Sequence, residues 1–134
     1  MSITTHLDGI GDIDTGIALF IGKVNQLGYT TLWSCSGMEQ DHPDHIIINK
    51  GKPIKMSAKP LGWIVFLKQQ NSTRLISEAE KLGFPIMPNS LFGEEDIPVI
   101  CIFLSIKVEA EYKMDDDTIK EALQSLLSIL ERGN

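Results

Sequence analysis

Cysteine is scarce in this chain of 134 residues: Cys35 and Cys101 are the two it has. Two thiols cannot build a disulfide framework. Cations are few as well, 12 Lys and Arg against 18 Asp and Glu, a net charge of −6. A general binder of nucleic acid or of an anionic membrane needs clustered cations, so those classes are disfavoured. Long apolar runs are missing too. Ile97 to Ile106 is the longest, about ten residues with Pro98 and Ser105 inside it, where a bilayer span needs about 20. Met1 to Gly11 has neither a basic region nor an apolar one, so no signal peptide is expected. A cytoplasmic protein with reduced thiols and no membrane association follows as the expectation. No glycine-rich nucleotide loop, phosphate loop or paired-histidine zinc motif is present. Gly9-x-Gly11 follows no expected strand. Internal repeats, low-complexity stretches and interdomain linkers are also lacking.

What remains is the composition of one globular domain over residues 1–134, 43% hydrophobic and 22% charged, long enough to bury a core without staples. Asp14 to Leu27 reads as a helix, with Ile17, Phe20, Ile21, Val24 and Leu27 on one stripe. Asp14 or Thr15 can cap it and Gly28 can stop it. Tyr29 to Ser34 reads as a strand, Cys35 to Asp44 as a polar loop, and His45 to Asn49 as a short strand. Lys50 to Pro53 is a turn cluster, Met56 to Pro60 carries no clear signal, and Gly62 to Leu67 is a buried strand. Asn71 or Ser72 opens a second helix through Leu82, with Leu75, Ile76, Ala79 and Leu82 facing inward. Phe84 to Asn89 holds Pro85 and Pro88, so it is at best an edge strand. Leu91 to Asp96 reads as an acidic loop. Pro98 to Val108 reads as one long central strand, reaching toward Glu111. Asp115, Asp116 and Asp117 cap a last helix with the stripe Ile119, Leu123, Leu126, Leu127 and Leu130. The expected fold is α+β, about three helices on a mixed or antiparallel sheet of about four to five strands.

The chemistry concentrates after the first strand. Trp33-Ser34-Cys35-Ser36-Gly37 sets two hydroxyls and a thiol at a strand end, and Gly37 permits a positive φ there. Such a turn can receive a small ligand or an anion on its amides, or it can be a tight turn with a half-buried thiol. Cys35, Asp41, His42 and His45 fall within eleven residues, a thiolate, carboxylate and imidazole set suited to a divalent metal, although the spacing matches no standard finger. Cys35 with His42 or His45 could instead form a nucleophile pair, oriented by Asp41 or Asp44. Asp8, Asp12 and Asp14 could bring carboxylates to the same place, or simply lead into and cap the first helix. Lys50, Lys52, Lys55 and Lys59 form the one local basic excess.

Leu27-Gly28-Tyr29-Thr30-Thr31 running into Ser34-Cys35-Ser36-Gly37 resembles the wybutosine-synthesising methyltransferase family, which methylates a tricyclic guanosine in phenylalanine tRNA. Gly62-Trp63-Ile64-Val65-Phe66 and Ala79-x-x-Leu82-Gly83-Phe84 are similar to that family's tryptophan strand and its glycine-phenylalanine helix end. The resemblance runs from Asp8 to about Leu130, and its specific part is Asp14 to Gly37. Met38 stands where the family has a basic residue, and Leu67-Lys68 where it has Ser-His. The resemblance implies a small-ligand site lined by Ser34, Cys35, Ser36 and Gly37, with Asp12 or Asp14 close by; Trp33, beside that turn, is read from its position as a further pocket-lining candidate. The resemblance also implies S-adenosylmethionine as cofactor and methyl transfer to a tRNA base by proximity and orientation. The acidic balance runs against the tRNA partner. Beside that enzyme stand a non-catalytic ligand-binding module, a structural or assembly protein, and a metal-binding protein or metal-dependent hydrolase using Cys35, His42 and His45.

Overall fold

The computed structural model describes residues 3–38, 40–42, 45–56, 62–87, 97–113 and 115–132, with the backbone alone at 45–49, 54–56 and 112–113. The expected acidic loop Leu91 to Asp96 lies outside the described residues, as do Glu39, Asp44 and Lys59. The fold is α+β, as expected. Its centre is a four-stranded antiparallel sheet of β3 (Thr31–Cys35), β6 (Trp63–Leu67), β8 (Val99–Phe103) and β7 (Ile86–Met87), in that spatial order. The two-residue β7 closes one edge, next to Pro85. Strand β8 is central, as its continuous apolar run requires.

One face of the sheet carries Ile64 and Phe66 opposite Ile102 and Ile100. These pack under helices α1 (Thr15–Gln26), α2 (Ser72–Lys81) and α3 (Asp116–Arg132) in a core that also holds Ile17, Leu75 and Leu126. The stripe expected on α3 is buried in full, at Ile119, Leu123, Leu126, Leu127 and Leu130. On the other face Val65, Val99 and Cys101 form a smaller buried cluster with Leu32, Trp63, Met87, Ile97 and Phe103 around it. Strand β3 has one extra residue between Thr31 and Trp33, so Leu32 and Trp33 both serve that second face.

Among the described residues there are also three two-stranded ribbons. Thr4–Leu7 (β1) pairs with Gly11–Asp14 (β2) through a turn at Asp8 to Ile10. His45–Asn49 (β4) pairs with Lys52–Met56 (β5), with Lys50 and Gly51 both at positive φ, 51° and 76°, in the two-residue turn. Ile106–Val108 (β9) pairs with Glu111–Lys113 (β10). No helix among the described residues is long and apolar enough to cross a membrane.

Several sequence expectations are corrected. The single strand expected over Pro98 to Val108 is two, because the chain bends at Leu104 and Ile106 leaves the sheet for its own ribbon. The lead-in to the first helix, for which the sequence predicts no strand, is the ribbon β1–β2. Lys52 and Pro53 belong to β5, not to the turn before it. Asn71 sits at the N-cap of α2 without a capping side-chain bond. The Ser72 hydroxyl instead accepts the Gln69 N–H at 2.7 Å. At α3 the expected cap holds, since Asp115 accepts from the Thr118 N–H and hydroxyl. At α1 it does not: Asp14 occupies the N-cap position, but its carboxylate makes no capping bond.

Candidate functional site

Three elements converge where β2 ends, β3 ends and the following turn begins. Asp14 is both the last residue of β2 and the N-cap residue of α1. Its backbone is held in the β1–β2 ladder opposite Thr4, which aims the side chain independently of the helix. Cys35 is the last residue of β3, paired with Trp63. His42 follows a turn in which the N–H groups of Asp41 and His42 both donate to the Met38 carbonyl, at 3.1 and 3.2 Å. The Ser36 hydroxyl accepts the Met38 N–H at 3.1 Å, and Gly37 takes a φ of 66°, so the chain reverses immediately after Cys35.

The Asp14 Oδ2 atom is the hub. It accepts the Ser36 N–H at 2.8 Å and lies 3.0 Å from His42 Nε2. The same Nε2 lies 3.6 Å from Cys35 Sγ. One donor atom from each of Asp14, Cys35 and His42 lies within 4.8 Å of the other two. Asp14 and His42 are 8% and 7% exposed, and Cys35 is half-buried. Burial pushes the Cys35 thiol above its ordinary range. The Gly37 N–H opposes that rise, and Asp14 and then Asp41 add to it by like charge.

This arrangement bears on the chemistry. In a cysteine–histidine–aspartate nucleophile relay the thiol and the carboxylate use opposite ring nitrogens. Here both meet Nε2. Three unlike donor atoms within 4.8 Å of one another are also a set that could hold a metal ion. Zinc with bonds of about 2.3 Å to sulfur and about 2.0 Å to nitrogen or oxygen has tetrahedral edges of about 3.5 Å (S to N) and about 3.3 Å (N to O). The observed 3.6 and 3.0 Å lie close to both.

The remaining expected site residues are placed as follows. Asp12 is not in the trio, since its exposed carboxylate pairs with His6 Nδ1 across the ribbon at 2.9 Å. Asp41 is fully buried and adjoins the site, but both of its oxygens accept the Gly16 N–H, at 3.1 and 2.8 Å. Trp33 is 38% exposed and pairs with Val65, on the sheet face away from the helices. Ser34 pairs with Ile64 on the helix face. The backbone of His45 opens β4, and its side chain lies outside the described residues.

Sequence reasoning missed two glycines. A Cβ on Gly16 would stand 2.3 Å from Met38 Sδ and 2.7 Å from Asp41 Oδ2. A Cβ on Gly62 would stand 2.3 Å from the Ser36 carbonyl oxygen. Comparison of the chain with known protein families, curated proteins and solved structures finds no match.

Proposed function

We propose that this chain is a metal-binding protein that holds a zinc-class divalent ion on Asp14, Cys35 and His42. The observation that carries the reading is the convergence of three different donor atoms within 4.8 Å of one another. The donor types choose the metal. A thiolate and an imidazole suit zinc and its transition-metal neighbours, whereas magnesium and calcium take oxygen ligands. The Ser36 N–H on Asp14 supplies the outer hydrogen bond that orients a ligating carboxylate. Burial and the neighbouring carboxylates favour a neutral Cys35 thiol in the metal-free protein. A bound divalent ion reverses that preference, so binding releases a proton.

The test is titration with zinc, cobalt and magnesium, followed by thermal unfolding and visible absorption. Zinc at 100 times its Kd should stabilise the fold by about 2.7 kcal/mol. Cobalt should give tetrahedral visible bands and a thiolate charge-transfer band that Cys35→Ser removes. Magnesium should do neither. Absence of any response to zinc and cobalt overturns the reading. Stabilisation by S-adenosylmethionine in place of metal would favour the methyltransferase reading that the Ser34 to Gly37 resemblance implies.

A further inference from the structure

We infer that Asp41 is the positioning residue of this site: it ligates nothing, and its bond to Gly16 sets the distance between the ligands Asp14 and His42. The inference rests on the metal reading above. Asp41 adjoins one ligand in the chain and Gly16 lies two residues from the other. Both Asp41 oxygens face the Gly16 N–H, at 3.1 and 2.8 Å, with the carboxylate fully buried. That N–H is one of the donors that a helix start leaves without a partner, and the usual partner is the N-cap side chain. Asp14 holds the N-cap position and turns its carboxylate to Ser36 and His42 instead. Asp41 therefore takes over the cap, and Asp14 is released to the site.

The turn that carries Asp41 is held from three sides. Its carbonyl accepts the Ile3 N–H at 2.8 Å, beside β1. The Gln40 N–H donates to Asp116 Oδ2 at 3.0 Å, at the start of α3. Lys120 Nζ donates to Gln40 Oε1, and Gln40 Nε2 donates to Asp41 Oδ1 at 3.5 Å. The approach to α1 is open only because residue 16 has no side chain. His42 is thus placed by the bond its neighbour makes to the same helix start that bears Asp14. Metal occupancy and capping of α1 become one linked equilibrium.

The experiment measures zinc affinity by competition with a chelator, and the cobalt spectrum, in the whole chain. Asp41→Ala and Gly16→Ala should each weaken zinc binding by about 10–100-fold, the range seen when outer hydrogen-bond partners of metal ligands are lost. Cobalt band positions should not move, because the ligands are unchanged. Asp41→Asn keeps one acceptor oxygen and should recover part of the affinity. It also serves if Asp41→Ala does not fold. Arg74→Ala, which loosens the α2–α3 contact away from the site, should keep zinc affinity within about threefold of wild type and thereby separates positioning from general stability. Wild-type affinity in Asp41→Ala overturns the inference. So does a cobalt spectrum changed as it is by His42→Ala, which would make Asp41 a ligand. A wild-type chain that binds no metal removes the metal reading and this inference together.

Discussion

The carboxylate of Asp41 caps helix α1 at Gly16, a residue 25 positions earlier in the chain, with its oxygens 3.1 and 2.8 Å from the amide nitrogen. A local cap would have cost the site its central acceptor. With the cap supplied from the turn after β3, Asp14 keeps its Oδ2 for Ser36 and His42. The two aspartates have exchanged the roles that their chain positions suggest.

Asp14→Asn should therefore separate binding from folding. The amide keeps the shape and an acceptor for the Ser36 N–H, and the helix retains its cap at Asp41. The metal-free variant should show the far-UV dichroism of wild type and a melting temperature within a few degrees of it. Zinc should no longer raise that temperature, because a neutral amide is a poor ligand for a divalent ion.

Gly62→Ala should destabilise the fold from a position that carries no chemistry. Its Cβ would lie 2.3 Å from the Ser36 carbonyl oxygen and 2.9 Å from Leu104 Cβ. Backbone there cannot yield without moving the Ser36 N–H that holds Asp14. A loss of about 2 kcal/mol or more is expected, typical of overpacking, read as a lower urea midpoint at unchanged slope.

Arg74→Ala should cost about 1–3 kcal/mol in the same urea measurement. The guanidinium donates to the Leu130 and Ile129 carbonyls at 3.2 and 2.6 Å, in the last turn of α3 where carbonyls lack helical partners. The positive charge also suits that end of the helix dipole. Burial raises the pKa of the Tyr29 phenol, and the Arg74 charge holds part of that rise back. The variant should thus ionise Tyr29 at higher pH than wild type, visible in the phenolate absorbance.

Cys101 should make the fold alkali-sensitive. Burial raises its thiol from 9.0 to about 11. The folded chain then holds this proton more tightly than the unfolded chain. The resulting stabilisation is complete below pH 9 and disappears as pH climbs toward about 11. Cys101→Val keeps the apolar contact with Val65 and Val99 and removes the titration. Its urea midpoint should fall less than that of wild type between pH 9 and 11. In native wild type at neutral pH, iodoacetamide should spare Cys101.

How far the sequence was readable depended on whether the signal was periodic. The stripes Ile17 to Val24 and Ile119 to Leu130 are buried as spacing demands, since apolar burial dominates the placement of a helix. The ribbon β1–β2 was not seen because Thr4 to Leu7 is polar and mostly exposed, so no burial drives its pattern. Asp8-Gly9, a turn dipeptide, was the one cue. The bend at Leu104 was hidden because Leu104 and Ile106 both stay buried as the chain leaves the sheet, so the apolar run continues through it. Of the trio, proximity in the chain suggested Cys35 with His42. It could not distinguish Asp41 from Asp14 as the carboxylate, because Asp14 arrives from 28 residues before His42.

Those separations carry a kinetic consequence. The bonds that build the site join residues 22, 25, 28 and, from Gln40 to Asp116, 76 positions apart. Each requires a loop to be closed before the bond can repay it. Helices can form early from local contacts, but the donors around Asp14 can meet only after β3, α1 and α3 have docked. The site is thus a clock for the end of folding. In stopped-flow refolding with cobalt present, thiolate charge-transfer colour should lag behind far-UV ellipticity and rise with the slowest phase.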